Sequence, residues 1–164
     1  MKRIMLLCSL LLLIACKSKS PNHSVAKSPA KVTEKNIAIV KAEEVDAVKK
    51  DRAFSVGERL LESCNTSKFR AFSATEATDK VRLNATREKV SAICKKFNQR
   101  NGRFNGINLI DITRNKKTKE YVFRYSIDYE KKLYKRELNV TVNADNKVSA
   151  ITTKEVTPKA IAAN

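Results

Sequence analysis

Glu120-Tyr121-Val122-Phe123-Arg124-Tyr125-Ser126-Ile127-Asp128-Tyr129 alternates without a break. Tyr121, Phe123, Tyr125, Ile127 and Tyr129 fall on one side of an extended chain; Glu120, Val122, Arg124, Ser126 and Asp128 fall on the other. A period of two with one aromatic face predicts a half-buried strand over 120–129. Residues 133–143 alternate in the same way. Tyr134, Leu138, Val140 and Val142 share a face with Arg136, and Lys135, Glu137, Asn139 and Thr141 share the other. A tight turn at Lys131-Lys132 sets Tyr129 against Tyr134, Tyr125 against Leu138 and Phe123 against Val140. The same register sets Asp128 against Lys135 on the outer face. Apolar meets apolar and acid meets base; a slip of one residue would undo both, so the register is self-consistent.

Working outward from this hairpin, Gly106 to Thr113 reads as a strand over about 106–114, and a fourth runs over about 147–155. Asn143-Ala144-Asp145-Asn146 is the turn into that last strand. Its register stays open, because Val148/Ala150 and Ile151 ask for opposite faces.

The half of the domain before the strands is helical in pattern. Ser55 with Glu58 three residues on forms a capping-box pattern. Leu60, Leu61 and Cys64 make the apolar stripe of the helix that follows, and Asn65-Thr66-Ser67 breaks it. A short second helix carries Phe69 and Phe72. From Thr75 or Thr78 a longer helix is expected, with Leu83, Val90 and Phe97 at seven-residue spacing and Thr86, Ile93 and Cys94 on the same face. Asn101-Gly102 ends it. The apolar stripes of the helices supply the cover that the aromatic sheet face needs. The fold class is α+β: N-terminal helices packed on a curved four-stranded antiparallel meander, residues 53–156.

The chain before this domain carries different signals. Lys2 and Arg3 precede an apolar run from Ile4 to Ile14, too short for a membrane span of about 20 residues. It closes in Leu13-Ile14-Ala15-Cys16. That tetrapeptide resembles the lipobox of bacterial lipoproteins, which implies removal of residues 1–15 and lipidation of Cys16. Two or more acyl chains anchor a protein stably where one is marginal. The membrane-lipid partner is thus reached through acylated Cys16. Lys17 stands where some bacteria place the Asp that retains lipoproteins in the inner membrane, so the resemblance implies the outer membrane of the cell envelope.

Residues 16–52 then form a lipidated Cys and a basic tether. Lys, Ser, Pro, Asn and Thr dominate its first half, with Ser20-Pro21 and Ser28-Pro29. Within 38–50, Ala38, Ala42, Val45 and Val48 recur at helical spacing, and Asp46 and Lys50 make an i,i+4 pair. This predicts a short helix, free or docked. Residues 157–164 read as a disordered tail.

Composition narrows the partners. Lys and Arg number 34 against 17 Asp and Glu, for a net charge of +17. Such a balance usually raises nucleic acid, but an exported chain with no nucleic-acid motif points away from it. An anionic ligand, a glycan or an acidic protein suits the charge better. With Cys8 in the signal and Cys16 lipidated, Cys64 and Cys94 remain. Two thiols in an exported domain are expected to form a disulfide, with two buried free thiols as the alternative. The only histidine, His23, lies in the tether. No metal-ligand cluster and no cofactor motif is visible, and none is expected.

On Gly57-Glu58-Arg59-Leu60-Leu61, Lys68-Phe69-Arg70-Ala71-Phe72, the Gly-Arg-Phe-Asn-Gly-Ile run at 102–107 and the closing Leu138 to Ile151, the chain is similar to nuclear transport factor 2-like and cystatin-like domains of small bacterial lipoproteins. The likeness covers roughly 54–155. It implies a curved sheet wrapped on a helix, often with a cavity, in a superfamily that holds enzymes and non-enzymes alike. Tyr121, Phe123, Tyr125, Tyr129, Tyr134 and Arg136 are the candidate ligand-binding residues, either as core or as the lining of a pocket whose mouth lies near Lys131-Lys132. Asp111 interrupts an apolar run, on the outer face or as a pocket acid. Enzymes of the superfamily commonly pair an Asp with a His or Tyr; here only a Tyr–Asp pair is conceivable. A non-catalytic ligand- or protein-binding domain is therefore the leading expectation. A cystatin-like inhibitor or immunity-type protein, and an enzyme using a cavity Tyr/Asp pair, are the alternatives.

Overall fold

The computed structural model describes residues 36–156. The expected signal peptide, Cys16, the first part of the expected tether and the tail at 157–164 lie outside the described residues. Five strands form one antiparallel sheet in sequence order, and helices pack on one face. They are β1 Ile37–Val40, α1 Ala47–Thr66, α2 Asp79–Asn84, α3 Arg87–Asn101, β2 Phe104–Asn115, β3 Tyr121–Tyr129, β4 Lys135–Val142 and β5 Val148–Val156.

The central hairpin has the register that its sequence asks for from Tyr121 to Ile127; the expected Tyr129–Tyr134 and Asp128–Lys135 pairs lie beyond the paired residues, and Asp128 bonds Lys132 instead. Tyr125 lies opposite Leu138, Phe123 opposite Val140 and Tyr121 opposite Val142. The last hairpin resolves its conflict with a bulge. Val142 opposes Val148 and Thr141 opposes Ala150, so Ser149 is an extra residue between them. That one insertion lets Val148 and Ile151, opposite Val142 and Val140, both turn toward the core.

Four expectations change. The meander has five strands, because Ile37–Val40 pairs with Ile112–Asn115 instead of coiling into a helix. The tether therefore does not extend to residue 52: residues 37–52 contribute β1, a single 3-10 turn at Ala42–Glu44 and the start of α1. Asp46, read as half of an ion pair, is the N-cap of α1, its Oδ1 accepting from the Val48 amide at 2.8 Å. Ser55 lies inside that helix and caps nothing.

The third change concerns Phe69 and Phe72. They form no helix, yet both are buried and meet edge to face at 5.4 Å. The fourth is a break in the long helix. α2 stops at Asn84, and Thr86, counted in the apolar face, instead accepts from the Lys89 amide and caps α3.

Helix α1 lies close against the sheet at Gly57. A Cβ there would stand 2.8 Å from Leu138 Cδ2 and 3.2 Å from Val140 Cγ2. Glycine is costly in a helix interior, and close approach to the sheet is what keeps it. Cys64 and Cys94 form a disulfide between α1 and α3, with Cα atoms 4.8 Å apart. The free alternative for these thiols is thus not the one found. Two asparagines fasten the same end. Asn65 donates to and accepts from the Phe104 backbone at 2.7 and 2.9 Å, and Asn98 donates to the Cys64 carbonyl at 2.7 Å.

Candidate functional site

A cleft of about 350 Å³ opens where α1, α2 and α3 meet β5. Leu60, Leu61 and Cys64 of α1 form one wall, and Val81 of α2 with Ala85, Val90, Ile93, Cys94 and Phe97 form another. Ser149 through Thr153 form the third. Side chains along a strand alternate between faces, so five consecutive lining residues mean that the cleft runs along the strand's edge. β5 is the outermost strand. Beyond Val148, which exchanges backbone bonds with Glu76 and Thr78 at 2.9 and 3.0 Å, its outer edge has no strand partner among the described residues.

The helix break at Ala85–Thr86 lies at this cleft. Leu83, expected on the buried face, is 70 % exposed, and Ile93 is 51 % exposed. Lys80 is the charged residue of the lining. Beside it Asn84 accepts from Lys89 Nζ at 3.4 Å. The volume suits a small ligand, and the walls are mostly apolar with a few polar groups at the rim, the usual make-up of a binding pocket. A second hollow, about 420 Å³, shares Cys64, Val90 and Cys94 with it but is otherwise lined largely by polar chains such as Ser63, Ser67, Ser91 and Lys95.

The six candidate residues from the sequence lie elsewhere. Phe123, Tyr125 and Tyr129 are core, at most 3 % exposed. Phe54 meets Tyr125 edge-on at 6.4 Å, and Phe104 meets Tyr129 at 6.3 Å. Burial pushes the Tyr125 hydroxyl up, and pushes that of Tyr129 up to about 12; neither is poised to exchange protons near neutrality. Tyr121 is half-buried at the other end of β3, beneath the Arg114 guanidinium. Tyr134 is exposed in the turn ahead of β4, with Arg100 over its ring at 4.6 Å.

Arg136 stacks on Phe97 at 4.6 Å and bonds Glu155 Oε2 at 3.2 Å, an oxygen that Arg100 also reaches at 3.2 Å. It therefore touches the cleft only through Phe97. The sequence-derived mouth at Lys131-Lys132 does not gather these groups: Tyr129 is buried, and Arg136 is already paired.

Asp111 takes the outer face. Its carboxylate is gripped by Arg124, which also bonds Glu137 Oε1 at 3.3 Å, and Lys154 bonds Glu137 Oε2 at 2.9 Å. The Arg124 hydrogen bonds hold Asp111 below the usual carboxylate range. This chain of charges ties β2, β3, β4 and β5 together. It also leaves Asp111 across the sheet from Tyr125 and Tyr129, with no Tyr–Asp pair between them.

In the sequence the cleft residues read as packing stripes, which is why the pattern does not reveal the cleft. Its signal was legible in Asn84-Ala85-Thr86-Arg87-Glu88, a Thr with an acid in the next turn, which marks a helix start. No helix among the described residues is long and apolar enough to cross a membrane. Nor do three or more His, Cys, Asp or Glu converge there as metal ligands. No family model, curated protein or solved structure matches the chain.

Proposed function

We propose that this chain is a lipid-anchored protein of the bacterial cell envelope whose domain binds a ligand or partner and performs no chemistry. The anchor is Cys16, and the outer membrane is its address. The fold is a cystatin-like or nuclear transport factor 2-like roll, with the added β1 at one edge. One observation carries the binding reading: an apolar cleft of about 350 Å³ whose lining has Lys80 as its charged group and no paired acid and base.

A hydroxyl or thiol nucleophile activated by a neighbouring base needs such a pair within hydrogen-bond reach. Binding needs only shape, apolar wall and a polar rim. The site is thus assigned to the cleft in place of the aromatic sheet face. Native mass spectrometry of the full protein, extracted from its own envelope, tests this. A bound species lost on Ile93→Trp, which fills the cleft from an exposed position, is the expected result. A protein that carries nothing, in wild-type and variant alike, would sink the reading.

A further inference from the structure

We propose that the cleft takes a single-chain amphiphile with an anionic head, the acyl chain lying along β5 and the head at Lys80. This rests on the binding reading above and names its ligand. The walls choose the chain. Leu60, Leu61, Val90, Ile93 and Ile151 present branched aliphatic surface on opposing elements, a shape suited to a narrow, flexible hydrocarbon. Ile93, which lines the cleft, leaves large apolar surface in water, and covering it releases that water favourably.

The rim chooses the head. Lys80 has no ion-pair partner among the described residues, whereas the neighbouring Asp79 is held by Arg82. Lys89, on Asn84, adds a second cation beside it. An anion at this mouth gains a charge-assisted bond while its chain stays out of water. A cationic or zwitterionic head has no carboxylate in the lining to meet. An extended peptide, which the open edge of β5 would also admit, is the competing occupant. The scarcity of polar groups along the walls favours hydrocarbon over backbone.

The test uses the full chain in its own membranes. A photo-reactive myristic acid is added, illuminated, and the labelled residues are mapped by peptide mass spectrometry. Label is expected on the segments 60–64, 90–97 and 149–153. Unlabelled fatty acids should compete with a potency that rises about fourfold per added methylene, then levels off once the cleft is full. Lys80→Glu should lower labelling roughly tenfold, and Ile93→Trp should abolish it; a cooperative urea melt with the wild-type slope reports that each variant is folded.

Competition by a lysophospholipid with an anionic head, stronger than by free fatty acid, would identify the headgroup source as phospholipid; the reverse identifies free acid. Label confined to other segments, or indifferent to both substitutions, overturns the proposal. In that case a peptide mass released from the native protein leaves the binding reading standing with a different occupant. Absence of any bound species removes both.

Discussion

Glu76 shows how much one carboxylate organises. It bonds Arg59 Nη1 at 2.7 Å and accepts from the Ser73 amide at 2.8 Å, so the loop 67–78 is closed on α1. Arg59 also covers the Phe72 ring at 4.9 Å. The Arg59 hydrogen bond is the largest cause that lowers the Glu76 pKa to about 2. A carboxylate lowered in the folded state contributes stability that is present in full above its unfolded value, near 4.5, and lost as pH falls toward 2.

Glu76→Gln should therefore destabilise the domain by about 1–3 kcal/mol at neutral pH and flatten the loss between pH 4.5 and 2. Urea melts at several pH values check both, and parallel wild-type and variant curves in that window would refute the assignment. Gly57 makes the opposite kind of demand. Substitution to Leu gains at most about 1 kcal/mol of helix propensity. It drives atoms into Leu138 and Val140, both fully buried. A net loss of at least about 1–3 kcal/mol is expected in thermal melts.

At the scale of elements, the disulfide and the helix break decide the shape of the cleft. Cys64 and Cys94 close a loop of 30 residues, worth roughly 3.5 kcal/mol in the chain-entropy model. The double substitution to Ser should lower the denaturation midpoint accordingly, and a soluble fold with unchanged midpoint would show the link to be idle. The bond also joins two of the three helices whose residues line the cleft, so reduction should weaken ligand binding before it unfolds the domain.

The elements that were legible in the sequence are those with strong periodicity. The hairpin of Tyr121–Tyr129 with Lys135–Val142 was legible along its body, because a slip would turn Phe123, Tyr125, Leu138 and Val140 out of the core; its turn end was not. β1 was not, since Ile37-Ala38-Ile39-Val40 is brief, and its edge pairing depends on β2, far along the chain. The intact heptad Leu83, Val90 and Phe97 predicts one continuous helix from Thr75 or Thr78. The cap at Thr86 overrides that pattern locally, and Leu83 stands 70 % exposed. The candidate site was correspondingly poorly legible: side-chain pattern reports which face is apolar, not whether neighbouring elements close over it.

For the whole molecule, the question is what holds it in place. The described domain offers no spanning helix, and its +17 net charge belongs to the chain as a whole. On the proposed envelope reading, two forces would keep it at a membrane: acyl chains on Cys16, or attraction of its many lysines to anionic lipid. They respond differently to salt. Acyl anchoring gains about 0.8 kcal/mol per buried methylene and is indifferent to ionic strength. Attraction worth about 1 kcal/mol per lysine fades within a Debye length, about 3 Å at 1 M salt. Membranes washed in 1 M salt should retain the wild-type chain. Cys16→Ser should move it to the supernatant in the same wash, and mass spectrometry of the retained wild-type should find a diacylglyceryl-modified Cys16 at the mature N-terminus. Retention of the Cys16→Ser chain after the wash, or an unmodified N-terminus elsewhere, would place the anchor outside Leu13-Ile14-Ala15-Cys16 and remove the envelope assignment with it.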